Sequence, residues 1–446
     1  MTPTEDTATA APTPVAPPPV APPSTAPSRS AYARKARGAL GRLTWGLADQ
    51  GVASLTSFCV GIVVARALSA AEFGAFSLVW VTFGVAVNFS RGLATDPLVV
   101  RHSGAPTEEW RAAVRRSTGT AVAVGLVTGA ACAATGLVLG GTLGKAFLAL
   151  AVVMPGILLQ NAWRFAFFSA GKGAHAFAND MVFAVTLVPF LWLAFDRTSV
   201  AWFVIAWGAA GAVAAVVGCL QIRLVPDLTG VGEWLSRQRD LGPRYLVENV
   251  SQGVSTQLHM YGVGAIVGLA AAGTIRGAEL LLGPFVAVLM GVAMFAVPEA
   301  TRVLRRSTRM LWYFCLGIGA IQAAGTLAWG LALTFLLPDS VGEQVLGPVW
   351  ATASLLILPT TLAVMTAGFS NGATTGLRAL GAATRSLNAQ VFTSAAYLVF
   401  GVIGAAVDGA FGSACGCAFA TLLGAFVWWR QLHTGLRDHE RMMRIA

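Results

Sequence analysis

Five polar side chains, Glu248, Ser251, Gln252, Ser255 and His259, succeed one another through an otherwise apolar segment at spacings of 3, 1, 3 and 4. On a helix those spacings form one stripe. Other apolar segments carry smaller sets. Arg164 lies one turn after Gln160, with Asn161 beside them, and Arg91 lies three residues after Asn88. Asp49 and Gln50 open a fourth segment, with Ser54 and Ser57 one and two turns on. An ionised group in mid-membrane costs about 2.5–3.5 kcal/mol on the insertion scale, so such groups tend to face a partner or a wet cavity. The chemistry available to them is binding: guanidinium can meet an anion, while Asp49, Glu248 and His259 could take up a coupling ion, H+ or Na+.

Each residue also has a structural reading. Arg91 lies within two turns of the expected inner surface, where it can snorkel to headgroups and favour a helix C-terminus. Asp96 precedes Pro97, which disfavours helix, so it is expected to end its span or to cap the next helix. Asp49 with Arg91, or Glu248 with Arg164, would make a purely structural ion pair. His259 has a hydrogen-bonded neutral imidazole as its ordinary state and a proton relay as the alternative. Snorkelling does not explain Gln160 and Asn161, which lie deeper than Arg164.

The elements that position these groups are membrane helices. The 446-residue chain is 56 % hydrophobic and only 11 % charged, and a soluble domain has about twice that charged fraction. Apolar runs of spanning length recur at roughly 43–67, 74–96, 117–139, 147–170, 180–196, 200–222, 245–270, 278–300, 310–336, 346–368, 385–407 and 410–430. With the N-terminus inside, only Arg66, Lys145, Arg197 and Arg276 of the 30 Lys and Arg residues fall outside the cytoplasmic segments and inner span ends. That is the positive-inside pattern. The net charge of +10 therefore reflects topology and anionic lipid and implies no nucleic-acid partner.

The expected fold is all-α and polytopic, with about twelve transmembrane helices in two six-helix lobes around a central cavity. Residues 1–42 form a disordered Pro/Ala-rich cytoplasmic tail ending in a basic juxtamembrane cluster, 43–222 the N-lobe, 223–244 a cytoplasmic linker, 245–432 the C-lobe and 433–446 a cytoplasmic tail. The linker stretch Val225–Tyr245 could form a short amphipathic helix on the membrane surface. "QGVAS" at Gln50 echoes "QGVST" at Gln252, and Pro155 and Pro359 stand at nearly the same separation. Two agreeing offsets suggest a six-plus-six parallel repeat with its binding site between the halves.

Enzyme chemistry finds little footing. The nearest approach to a phosphate loop, Gly144-Lys145, has Leu139 where glycine is required and Ala146 where Ser or Thr is required. Five scattered histidines and six cysteines within spans give no metal-ligand spacing, and no cofactor is called for. A membrane glycosyltransferase or polymerase of the kind that carries catalytic residues on a sizeable outer loop does not fit these short loops.

The first outer hairpin, "IVVARALSAAEFGAFSLV" (Ile62–Val79), resembles the first-hairpin signature of prokaryotic polysaccharide and O-antigen flippases. These belong to the multidrug/oligosaccharidyl-lipid/polysaccharide exporter superfamily. The matching residues are Ala65, Arg66, Leu68, Glu72, Phe73, Gly74 and Phe76, with Gly74 expected to make the tight turn. The resemblance implies a flippase, not an enzyme, in the cytoplasmic membrane with both termini cytoplasmic. It would move an undecaprenyl-pyrophosphate-linked oligosaccharide for cell-surface polysaccharide biosynthesis. Arg91, Arg164, Gln160, Asn161, Asn88 and Gln252 would receive the lipid-linked glycan, and Asp49, Glu248 and His259 would couple movement to an ion. A polysaccharide polymerase and glycosyltransferases are the candidate protein partners, beside the phospholipid bilayer itself. The departure is span 1, where lipid II flippases have arginines and this chain has Asp49. That keeps open a cation-coupled multidrug or metabolite exporter of the same superfamily.

Overall fold

The computed structural model describes residues 29–103, 105–195, 197, 199–239 and 242–445, and the side chains of some of these, Glu248 and Gln252 among them, lie outside the described residues. So does the stretch 1–28, where disorder was expected. Among the described residues every regular element is helical. In chain order the first half comprises α1 (Arg29–Ala67), α2 (Ala70–Ser90), a π-helical turn (Arg91–Thr95), α3 (Asp96–His102), α4 (Thr107–Leu139), α5 (Gly141–Ser169), α6 (Gly173–Phe195) and α7 (Val200–Ile222). The short α8 (Val231–Arg237) precedes α9 (Gly242–Ile266), α10 (Leu269–Leu304), α11 (Thr308–Phe335), α12 (Asp339–Leu346), α13 (Trp350–Ala353), α14 (Ile357–Ala379) and α15 (Ala383–Ile445). Ten described stretches are long and apolar enough to cross a membrane. One of them, Thr384–Met442, is two rods broken at Asp408 and at Gly409, whose φ is 55°. With α9 counted by its length and those rods separated, the described residues hold twelve helices of about spanning length, in line with the expected number.

Helices α4, α5, α6 and α7 pack on one another in the first half, and α10, α11, α14 and α15 in the second; α2 lies against both α9 and α10. Glycine sets how near α2 and α10 can come. A Cβ on Gly74 would overlap the Leu269 carbonyl, and one on Gly273 would overlap that of Ala70. Farther along, the Thr82 and Tyr261 hydroxyls bond at 2.6 Å between α2 and α9. Gly92 seats against the Leu246 backbone, where a Cβ would come within 2.6 Å.

The hairpin signature acquires a physical meaning that differs from the expected one. The turn falls at Leu68–Ser69 and Gly74 lies inside α2. Ser69 caps α2 by accepting from the Glu72 N–H at 3.4 Å, and the Glu72 carboxylate accepts from the Ser69 N–H at 3.1 Å and hydroxyl at 2.8 Å. This is a capping box. Glu72 therefore starts the helix, and Gly74 permits the close approach of α10.

Span 2 also departs from expectation, because Pro97 does not end it. The Asp96 N–H reaches back five residues to the Arg91 carbonyl, the spacing of a π turn. Pro97 has no N–H to offer the Leu93 carbonyl four residues earlier, so Trp234 of α8 supplies one through Nε1 at 3.0 Å. Ser117 of α4 donates to the neighbouring Ala94 carbonyl at 2.9 Å. Helix α8 turns one face to the protein: Trp234 is buried with Leu98, Trp110, Val114 and Leu224. Further bonds hold the linker in place. Arg101 donates at 2.8 Å to both the Arg237 carbonyl and Gln238 Oε1, and Arg116 pairs with Glu233 at 2.9 Å. Ahead of α8, Asp227 accepts from the Thr229 hydroxyl and N–H and from the Gly230 N–H. The Thr229 hydroxyl, then the Gly230 N–H, hold its carboxyl below the ordinary value. This turn therefore contributes stability above the ordinary carboxylate range and loses it as pH falls through the lowered value.

The end of the 1–42 segment, expected to be disordered, is helical, and so is the C-terminal segment expected as a tail. Residues 29–42 belong to α1, and 433–445 extend α15, where Leu432 and Leu436 continue an i, i+4 apolar row packed with Leu377. Asp438 pairs with Arg385. Replacing Gly74 with Val should destabilise the purified chain by about 1–3 kcal/mol, the usual effect of overpacking, read as a lowered thermal midpoint. An unchanged midpoint would contradict the α2–α10 contact.

Candidate functional site

The first cluster is built from α1, α5 and α6. Asp49 is fully buried and its carboxylate pairs with Arg164. Arg164 Nε also lies 3.4 Å from Asp180. Gln160, one turn before Arg164, donates to Asp180 at 2.8 Å, and its amide stands 3.5 Å from Asn179. Asn179 in turn donates to the Ala214 carbonyl at 2.8 Å. Side-chain exposure is 13 % for Arg164, 0 % for Asp49 and 7 % for Asp180, so one guanidinium is enclosed with two carboxylates. Asp49 thus pairs with Arg164 and not with Arg91 as considered from the sequence, while the Glu248–Arg164 pairing falls on a side chain outside the described residues.

Arg91 lies beside this cluster. Its guanidinium sits 5.1 Å from the centroid of Phe165, the residue after Arg164, and within electrostatic reach of both Arg164 and the Asp96 carboxylate. It is half-buried, and its Nε has no acceptor. Asn161 Oδ1 and Asp49 Oδ1 are likewise buried and unpartnered. Polar capacity for one donor and two acceptors thus remains on the turns that carry Arg91, Asn161 and Asp49. Asn88 lies next to Gly253 of α9.

A cavity of about 470 Å3 opens between α1 and α10. Gln50, Ser54 and Ser57 line one wall; Arg276 and Glu279, paired at 3.1 Å, line the other. Phe58, Leu280 and Pro284 complete an apolar surround. Gln50 Oε1 lies 3.5 Å from Arg164, so the amide that borders the cavity also touches the buried cluster. Arg91 and Asn161 do not line this cavity. His259 sits elsewhere, buried in the second half, with Nε2 2.7 Å from the Ser413 hydroxyl and 3.5 Å from Cys417.

Sequence reasoning passed over Asp180, Asn179, Arg276 and Glu279. In each case a span was started too late. Helix α6 begins at Gly173 and α10 at Leu269, which puts Asp180 and Arg276 about two turns inside. The small residues of "GAHAFA" and "LAAAGTI" were the available signal.

No family model and no curated protein matches the chain. Solved structures do. An inward-facing multidrug resistance MATE family transporter of the MOP superfamily is 14 % identical, with a TM-score of 0.69 over 87 % of this chain and 95 % of that one. Lipid II flippase MurJ in an inward closed conformation is 12 % identical, with a TM-score of 0.68 over 90 % of this chain and 92 % of that one. A MOP superfamily transporter from Pyrococcus furiosus, described as having a binding pocket of reverse polarity, is 14 % identical with a TM-score of 0.51 over 90 % and 95 %. At such identities the likeness establishes the fold alone, an all-helical multi-pass fold shared with these transporters.

Removing one partner of a buried ion pair costs about 3–5 kcal/mol. Arg164→Gln, which strands two carboxylates, should therefore lower the thermal midpoint much more than Asp180→Asn, which leaves a one-to-one pair. Equal effects in a thermal melt would contradict the cluster.

Proposed function

We propose that this chain carries a lipid-linked oligosaccharide, of the undecaprenyl-pyrophosphate class, across the cytoplasmic membrane for cell-surface polysaccharide synthesis, with both termini on the cytoplasmic side. The observation that carries the reading is Arg91. A half-buried guanidinium beside the Phe165 ring, with a buried Nε that has no acceptor, keeps donor capacity that a phosphate oxygen can fill. Pyrophosphate supplies that anion, and arginine suits it through paired N–H donors. Asn161 Oδ1 and the Gln50 and Ser54 side chains offer bonds to sugar hydroxyls, and the apolar walls of the α1–α10 cavity suit the first isoprene units. Asn88, and Gln252 on the facing helix, would extend the polar lining. MurJ, which has the same fold, is named a lipid II flippase, which supports a substrate of this chemical kind.

Coupling is assigned to the buried carboxylates. Asp49 and Asp180 share Arg164, so the cluster carries one surplus negative charge, which H+ or Na+ would neutralise. Glu248 and His259 are the second-half candidates for the same role. The surplus charge also supports a second reading, a cation-coupled exporter of organic cations, and MATE transporters of the same fold are named for multidrug resistance. In that case the substrate itself would be the cation.

Transport of a fluorescent undecaprenyl-pyrophosphate oligosaccharide in reconstituted vesicles separates them. Arg91→Gln should slow it about 10-fold or more, matching the loss of a charged hydrogen bond of about 1.5–3 kcal/mol, at unchanged protein abundance. Full transport by that variant would overturn the assignment of Arg91, and transport of organic cations alone would favour the exporter. Asp180→Asn should abolish the dependence on an imposed H+ or Na+ gradient; retained dependence would remove Asp180 from coupling.

A further inference from the structure

Four arginines, Arg302, Arg305, Arg306 and Arg309, crowd the junction between α10 and α11. Ser307 caps α11, its hydroxyl 3.5 Å from the Met310 N–H. Arg309 therefore sits in the first turn of a 28-residue helix. A cation there opposes the helix dipole, and the first-turn N–H groups of a helix have no intrahelical acceptors. Together these favour an anion.

The place for one is a pocket of about 450 Å3 between the start of α11 and the last turns of α15. Arg309 and Arg437 bring two guanidinium groups to it, His433 a third nitrogen-bearing side chain, and Trp312 and Tyr313 its aromatic wall. The wall is fixed from behind: Trp312 meets His433 at 5.9 Å and Trp429 at 5.2 Å, both edge-on. Arg309 lies 5.9 Å from the Tyr313 ring centroid. At one edge Glu440 accepts from the Thr308 hydroxyl at 2.5 Å, leaving the arginines in excess.

A membrane lipid fits this site better than a soluble anion. Tyr313 borders the pocket and is 57 % exposed; Met310 before it and Ile321 two turns on are 50 % and 73 % exposed. The spacing of Met310, Tyr313, Gly317 and Ile321 makes one stripe on α11, running from the pocket into the span. We infer that this pocket binds the phosphate headgroup of an anionic phospholipid, with an acyl chain laid along that stripe. The lipid phosphate bridges Arg309 and Arg437, and so ties the beginning of α11 to the end of α15. This inference is independent of the proposed substrate.

The test is native mass spectrometry of the full chain released from nanodiscs of phosphatidylcholine and phosphatidylglycerol in equal parts. The wild type should retain a phosphatidylglycerol that the Arg309→Gln/Arg437→Gln variant loses by about 10-fold or more, as expected for two charge-assisted contacts. Arg305→Gln/Arg306→Gln, which keeps the pocket and removes the same charge, should retain it. Equal retention by the pocket variant, or equal loss in the two variants, would overturn the site. Displacement by inorganic phosphate at low millimolar concentration would overturn the lipid in favour of a soluble anion. A photoreactive side chain at Tyr313 in the otherwise unaltered chain should crosslink phosphatidylglycerol over phosphatidylcholine, and crosslinking without preference would count against the inference.

Discussion

The enclosed ion cluster of Asp49, Arg164 and Asp180 is the constraint on which the first half depends. Charges taken out of water are tolerated only when pairing and hydrogen bonds replace the lost hydration. Here the replacement comes from three helices, since Asp49 belongs to α1, Arg164 to α5 and Asp180 to α6, and Gln160 fills a further lone pair. Those bonds fix the wall of the α1–α10 cavity, because Gln50 is the residue after Asp49 and reaches Arg164. A change in the charge of the cluster would therefore be felt at the cavity wall.

A second constraint is a proline in the wrong place for an ordinary helix. Pro97 withholds an N–H, the chain answers with a π turn, and the Leu93 carbonyl is taken by Trp234 from the linker between the halves. Arg91 opens that π turn. The linker is thereby joined to the segment that presents the guanidinium, and the same segment meets the second half through Gly92 and Leu246. Such π insertions often occur at functional sites.

Much of the fold was legible because hydrophobic runs and arginine positions are set by the bilayer, which acts on every span alike. The layout of the helices, the break near Asp408–Gly409 and the placement of Asp49 and Arg164 inside helices all derive from that. Partners across helices were not legible. Asp180 looked like a span edge, because alanine and glycine before it carry a weak hydropathy signal. Gly74 looked like a turn, since a glycine needed for close helix packing and one needed for a turn are identical in sequence. Pro97 looked like a stop, because the donor that makes it tolerable lies far along the chain at Trp234.

The central claim is that an anionic headgroup enters the first half beside Arg91, next to the cavity bordered by Gln50 and Arg276. A structure of the full chain with a bound polyprenyl-pyrophosphate glycan addresses it most directly. Pyrophosphate density within hydrogen-bonding distance of the Arg91 guanidinium, with sugar toward Asn161 and Gln50, is the predicted result. Pyrophosphate seated on the lipid-facing exterior, with Arg91 turned away from it, would contradict the account.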